Sequence, residues 1–147
     1  MAKKRRSSIS LRRKVAMEVT RISVGDERLV YAMVADKKLV YPSGRSRVAY
    51  IGTTKNGIFR LSASIAERAN TILQTRGVES FEVRIVTCHR RQRVKMWHRL
   101  EQAFLVTFRQ LYGAPPICNS EKAGKNEGTV FDLFARSRVR RILEDIA

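Results

Sequence analysis

Polar and apolar residues follow two different periods along this chain, and each period predicts its own kind of element. From Leu29 to Ala35 every residue is apolar or aromatic, a run that predicts a strand buried on both sides. Asp36-Lys37-Lys38 then predicts a turn into Leu39-Val40-Tyr41, an inserted hairpin that Pro42-Ser43-Gly44 brings to a stop. Val48 to Thr53 reads as a second main strand. Phe81, Val83, Ile85 and Thr87 alternate with Glu82, Arg84 and Val86 to give a third.

The longer period predicts helices. Ile58, Leu61, Ile65, Ala69, Ile72 and Leu73 share one face of a helix from about Gly57 to Thr75, which Gly77 ends. Arg60, Ser64, Glu67 and Thr71 fall on its other side. A second helix runs from about Lys95 to Tyr112, stopped by Gly113 and Pro115-Pro116. After a polar loop from Ser120 to Gly128, Val130, Leu133, Phe134, Ile142, Leu143 and Ile146 predict one closing amphipathic helix. Leu11, Val15, Val19 and Ile22 predict a short helix near the start. The fold class is therefore α+β: a small three-stranded antiparallel sheet flanked by helices, with an inserted hairpin and a C-terminal helix. Residues 1–14 read as a basic arm and 15–147 as one domain, its core about 28–119 and a helical extension about 129–147.

One residue breaks the pattern. Trp97, Leu100, Phe104, Leu105, Phe108, Leu111 and Tyr112 fall in one arc of the second long helix, and Glu101 projects into the middle of it. A carboxylate facing apolar surroundings costs several kcal/mol unless it meets a cation, a metal or converging donors.

Charge changes what such an acid is for. The 147 residues carry 30 Lys and Arg against 13 Asp and Glu, a net charge of +17. Seven of those basic residues lie in the first fourteen positions, so about +10 remains on the rest. A field of that size attracts polyanions, and nucleic acid is the partner it predicts. No run of apolar residues is long enough to span a bilayer and no signal peptide follows the basic start, so the expectation is a soluble, intracellular, cytoplasmic protein, nuclear only in a eukaryote. Cys88 and Cys118 form no CxxC pair and read as reduced, partly buried thiols.

A buried carboxylate beside a basic surface is what phosphodiester cleavage would use to hold one divalent metal. Hard oxygen ligands suit Mg²⁺, an arginine stabilises charge on the phosphoryl oxygens, and a weak base takes a proton from water. Glu101, Arg60 and the tyrosines Tyr31, Tyr41 and Tyr50 are residues of those types.

Together these residues resemble the GIY-YIG nucleases. Tyr50-Ile51-Gly52 is the second half of that motif, and Arg60 stands ten residues after Tyr50, the interval of the family's active-site arginine. Leu100 to Asn119, LEQAFLVTFRQLYGAPPICN, is similar to the family's block of Leu-Glu, apolar helix, Tyr-Gly, proline and closing Asn. The resemblance implies Glu101 as metal ligand, Arg60 as phosphate-stabilising group and Tyr50 as a group positioning water or phosphate. It implies Asn119 as a structural or site residue. Leu29-Val30-Tyr31 substitutes for Gly-Ile-Tyr, and eighteen residues separate Tyr31 from Tyr50 where the family has about ten. Tyr31 rather than Tyr41 matches the motif's first tyrosine, the general base, because Pro42 places Tyr41 at an edge or turn. Lys55 matches a basic residue that often follows YIG, whereas Ser64 stands where His or Tyr is common.

The same resemblance implies a Mg²⁺-dependent DNA endonuclease, with Mn²⁺ as a substitute, of restriction, phage, homing or repair type. A homodimer would serve to cut both strands of a symmetric site. Arg90, Arg91, Arg93 and Lys95 precede the helix bearing Glu101 and are expected to hold DNA phosphates. Arg45 and Arg47, in the inserted hairpin, are candidates for contacts to bases. The rival reading is a non-catalytic basic protein that coats or bends nucleic acid, and no residue excludes RNA as substrate.

Overall fold

The computed structural model describes residues 7–11, 13, 29–54, 57–75 and 77–147, with only the backbone of 57–60. Most of the expected basic arm and of the helix from Leu11 to Ile22 lies outside the described residues.

The unbroken apolar run becomes the centre of the sheet. Strand β1 spans Leu29–Tyr41, β2 Gly44–Thr54 and β3 Phe81–Val86, in the order β2-β1-β3 with both pairings antiparallel. Leu29 to Ala35 are all buried, as a strand with neighbours on both edges and helices on both faces requires. With helices α1 (Gly57–Gln74), α2 (Met96–Tyr112) and α3 (Arg136–Ile146), the chain belongs to the α+β class.

Alternation along the strands divides the side chains between two layers. Val30, Ala32 and Ile51 meet Phe104 of α2 and Leu143 and Ile146 of α3 around an apolar gap of about 10 Å³. Tyr31 points to the opposite face, where its hydroxyl meets Ser64 of α1. Tyr31 pairs with Gly52 across the β1–β2 ladder, so Tyr50 and Gly52 belong to the same face as Tyr31.

The hairpin differs from the expectation. Asp36-Lys37-Lys38 is no turn: β1 continues through it to Tyr41, and the chain reverses at Pro42-Ser43, where Tyr41 pairs with Gly44. The Asp36 carboxylate accepts the Glu79 N–H at 3.2 Å, and the Asp36 N–H donates to the Ser80 carbonyl at 3.0 Å. Its polar groups are thus satisfied with the chain extended, and register shifts between Met33 and Val34 and between Val34 and Leu39 absorb the irregularity. The expected insertion is a lengthening of both strands of one hairpin.

That hairpin's tip rests on the end of α2. Gly113, at φ 80°, closes the helix in the left-handed conformation and donates its N–H to the Arg109 carbonyl at 2.8 Å. The Ser43 N–H donates to the Tyr112 carbonyl at 3.0 Å, and a Cβ at position 113 would lie 2.6 Å from Ser43 Oγ. Glycine therefore ends the helix and admits the turn.

Two further expectations are corrected. The closing helix is split: Val130–Asp132 form a 3₁₀ turn, Ala135 is extended at φ −67° and ψ 125°, and α3 starts at Arg136. Buried Val130 anchors the first piece while Val139 and Leu143 anchor the second, so two short apolar contacts replace one continuous stripe. On α1, Leu61 and Ile72 are buried but Leu73 is 44% exposed, because it lies past the strip of helix that the sheet covers. Among the described residues no helix is long and apolar enough to cross a membrane.

Candidate active site

Gly52 explains why a glycine follows Tyr50-Ile51. A Cβ built there would lie 2.7 Å from Cε1 of Tyr50, 2.8 Å from the Tyr31 hydroxyl and 2.9 Å from Tyr31 Cζ. Both tyrosine rings fold over the bare backbone at Gly52, with centroids 5.9 Å apart and planes tilted by 47°. Eighteen residues of hairpin separate them in the chain, and the β1–β2 register brings them back together.

Tyr31 and Tyr50 line a cavity of about 150 Å³ with Thr53 of β2 and Ala63, Ser64, Glu67 and Arg68 of α1. The Tyr31 hydroxyl is hydrogen-bonded to Ser64 Oγ. The Arg68 guanidinium lies over the Tyr50 ring, its carbon 3.9 Å from the centroid. Burial, with Tyr31 close by and Glu101 adding to it, pushes the Tyr50 phenol up to about 12, against the lowering effect of Arg68. Tyr50 is therefore a neutral hydrogen-bond donor at physiological pH.

Glu101 sits in the second turn of α2 and does not line that cavity. Its influence on the Tyr50 phenol is the smallest of the causes that raise it, and α2 packs through Phe104 on the face of the sheet opposite the Tyr31 hydroxyl. Its side chain is 23% exposed, at the rim of the apolar arc rather than inside it. Burial pushes its carboxyl up to about 7. Among the described residues the ion-pair contact it makes is with His98 Nδ1 at 3.9 Å. Burial thus disfavours the charged form of this acid.

The other expected residues take several places. Tyr41 is core: its hydroxyl donates to the Val48 carbonyl at 2.7 Å and accepts the Ile117 N–H at 3.2 Å, and its ring meets Phe108 edge-on at 5.1 Å. It takes no part in the tyrosine pair. Asn119 has both ends of its amide on Ile51: Oδ1 accepts the Ile51 N–H at 3.0 Å and Nδ2 donates to the Ile51 carbonyl at 2.9 Å. Its side chain positions the Tyr50-Ile51-Gly52 backbone. The Arg60 backbone lies in the first turn of α1, and its side chain, like all of Lys55, is outside the described residues.

Arg90, Arg91, Arg93 and Lys95 line an open groove of about 490 Å³ with Trp97. A tight turn bridged between Arg91 and Val94 forms it, with Arg93 in the left-handed region at φ 61°. The groove ends in the first turn of α2, one turn before Glu101. Arg45 is exposed and Arg47 half-buried on β2, near the hairpin tip. Cys88 and Cys118 are half-buried thiols, not joined in a disulfide.

Arg68 is the site residue that sequence reasoning missed. Its signal was present, since Arg60, Ser64 and Arg68 recur every fourth residue and so share a helix face. No protein-family profile, curated protein or solved structure matches the chain.

Proposed function

We propose that the protein is a divalent-metal-dependent endonuclease that hydrolyses phosphodiester bonds in DNA, acting as GIY-YIG enzymes do. The observation that carries this reading is the group at Gly52: two tyrosine rings packed over one glycine, beside a cavity that Ser64 and Arg68 also line. A core that needed only packing would not place a part-buried carboxylate on α2, where burial raises the Glu101 carboxyl to about 7.

The donor set at Glu101 suits Mg²⁺, or Mn²⁺ in its place. Among the described residues no three His, Cys, Asp or Glu side chains converge, so an ion there would be held by the Glu101 carboxylate and would keep several waters, as Mg²⁺ does. When bound, the ion supplies Lewis-acid polarisation of the phosphoryl oxygen. The protein's own groups supply the rest. Tyr50, held neutral, donates a hydrogen bond to the attacking water or to a phosphate oxygen. Tyr31 accepts the water's proton as its own hydroxyl hydrogen passes to Ser64 Oγ, and Ser64 in the same step releases its own hydroxyl hydrogen to solvent through the cavity it lines. Ser64 thereby does part of the work of the His or Tyr found at this place in the family. By the family resemblance, Arg60 would be the group that stabilises charge on the phosphoryl oxygens. The groove from Arg90 to Lys95 would grip the flanking backbone, with Arg45 and Arg47 farther out along it.

The test is incubation with a large, varied DNA and Mg²⁺, followed by sequencing of fragment ends. Wild type is expected to cut, and Glu101→Gln to lose cutting while binding as well or better, since it removes a negative charge. The second reading, a basic protein that binds nucleic acid without cutting it, rests on the net charge of +17. It prevails if wild type leaves every DNA and RNA intact with both Mg²⁺ and Mn²⁺.

A further inference from the structure

We infer that Arg68 and the cavity beside it form a phosphate-binding pocket, which holds a backbone phosphodiester of the bound nucleic acid. The inference rests on the nuclease reading only for the source of the phosphate, not for the pocket. Arg68 Nε is buried and, among the described residues, has no hydrogen-bond partner. A buried donor on a charged group is costly to leave unmet, so the protein holds open a place that an acceptor should fill. Stacking of its face on the Tyr50 ring, 3.9 Å from centroid to carbon, holds the guanidinium beside the cavity.

What lies beside it has the chemistry of an anion site. Tyr31, Tyr50 and Ser64 line the cavity with it, while the Thr53 hydroxyl is already donated to the Leu29 carbonyl at 2.8 Å. The cavity's volume of about 150 Å³ equals several waters at roughly 30 Å³ each, room enough for a tetrahedral oxyanion. An arginine fork offers such an anion paired charge-assisted hydrogen bonds. One group opposes this: Glu67 also lines the cavity, and its carboxylate repels an anion. That opposition makes the pocket testable from both sides. Stacking alone would explain Arg68 over Tyr50 but predicts no ligand and no dependence on Glu67.

The experiment is an NMR titration of the metal-free full chain, following the Arg68 Nε–H and the Tyr50 and Ser64 amides. Two probes are used: inorganic phosphate, and the dinucleotide TpT, whose single phosphate is an internal diester. Both are expected to shift these signals in a saturable way. Arg68→Lys should weaken each by about tenfold or more, the loss of at least one charge-assisted hydrogen bond. Glu67→Gln should tighten both. Shifts confined to Arg90 to Lys95, or equal affinity in Arg68→Lys, would overturn the pocket. A response to phosphate but not to TpT would overturn the backbone assignment in favour of a free or terminal phosphate. Because the wild-type Arg68 signal is read directly, the result does not depend on a variant folding. DNA cutting without these shifts would leave the nuclease reading standing and this one refuted, and shifts without cutting would do the reverse.

Discussion

Glu101 ties stability to chemistry at a single carboxyl. Burial raises it from 4.5 to about 7, so the folded chain binds that proton more tightly than the unfolded chain does. The stabilisation is complete below pH 4.5 and disappears as pH rises through about 7, at most about 3 kcal/mol for this group. Metal-free Glu101→Gln should therefore melt higher than wild type at pH 8 and no higher at pH 4. Adding Mg²⁺ at pH 8 should raise the melting temperature of wild type but not of the variant, as thermal melts with and without EDTA would reveal. The tyrosines separate in the same manner. Tyr31→Phe should reduce cutting by roughly 10²-fold or more, the scale of a lost proton acceptor. Tyr41→Phe should cost about 1 kcal/mol of stability, measured by urea denaturation, and leave the cutting rate alone. Gly52→Ala forces a methyl group into the space of both rings, and a loss of about 1–3 kcal/mol together with cutting is expected.

Among the elements, the β1–β2 hairpin and helix α1 set the geometry of the candidate site. Asn119→Ala removes both hydrogen bonds to Ile51 and should cost about 1–3 kcal/mol by denaturant titration, with the largest gain in amide exchange at Ile51. Much of this layout was legible in the sequence. The run from Leu29 to Ala35 marked a strand buried on both faces, and Gly113 with Pro115-Pro116 marked where α2 ends, because these signals are local. The turn was misplaced because Asp36-Lys37-Lys38 has turn composition, yet its polar groups are satisfied by Glu79 and Ser80, some forty residues on. The same limit applied at the site. Tyr50 and Glu101 could be singled out from motif and misplaced charge, but Arg68 acquires its meaning only from a ring on another element. The break at Ala135 was hidden too, since the apolar positions on either side of it fit one helical period.

At the scale of the molecule, the charge of +17 should govern affinity for nucleic acid. Binding is expected to weaken linearly in a plot of log K against log salt. Replacing both Arg90 and Arg91 by Gln should lower the slope by about two if each meets a phosphate, measured by fluorescence anisotropy from low to physiological salt. Assembly is constrained in a different way. Strand β2 borders the sheet, and its outward backbone groups would ordinarily invite another chain to add a strand. The Asn119 amide, offering one acceptor and one donor to Ile51 as a neighbouring strand would, and the Cys118 N–H on the Ala49 carbonyl at 2.9 Å, occupy that border. The side chain that steadies the tyrosine segment thus also acts as a selvedge, and a second subunit seeking to extend this sheet would have to do so from β3.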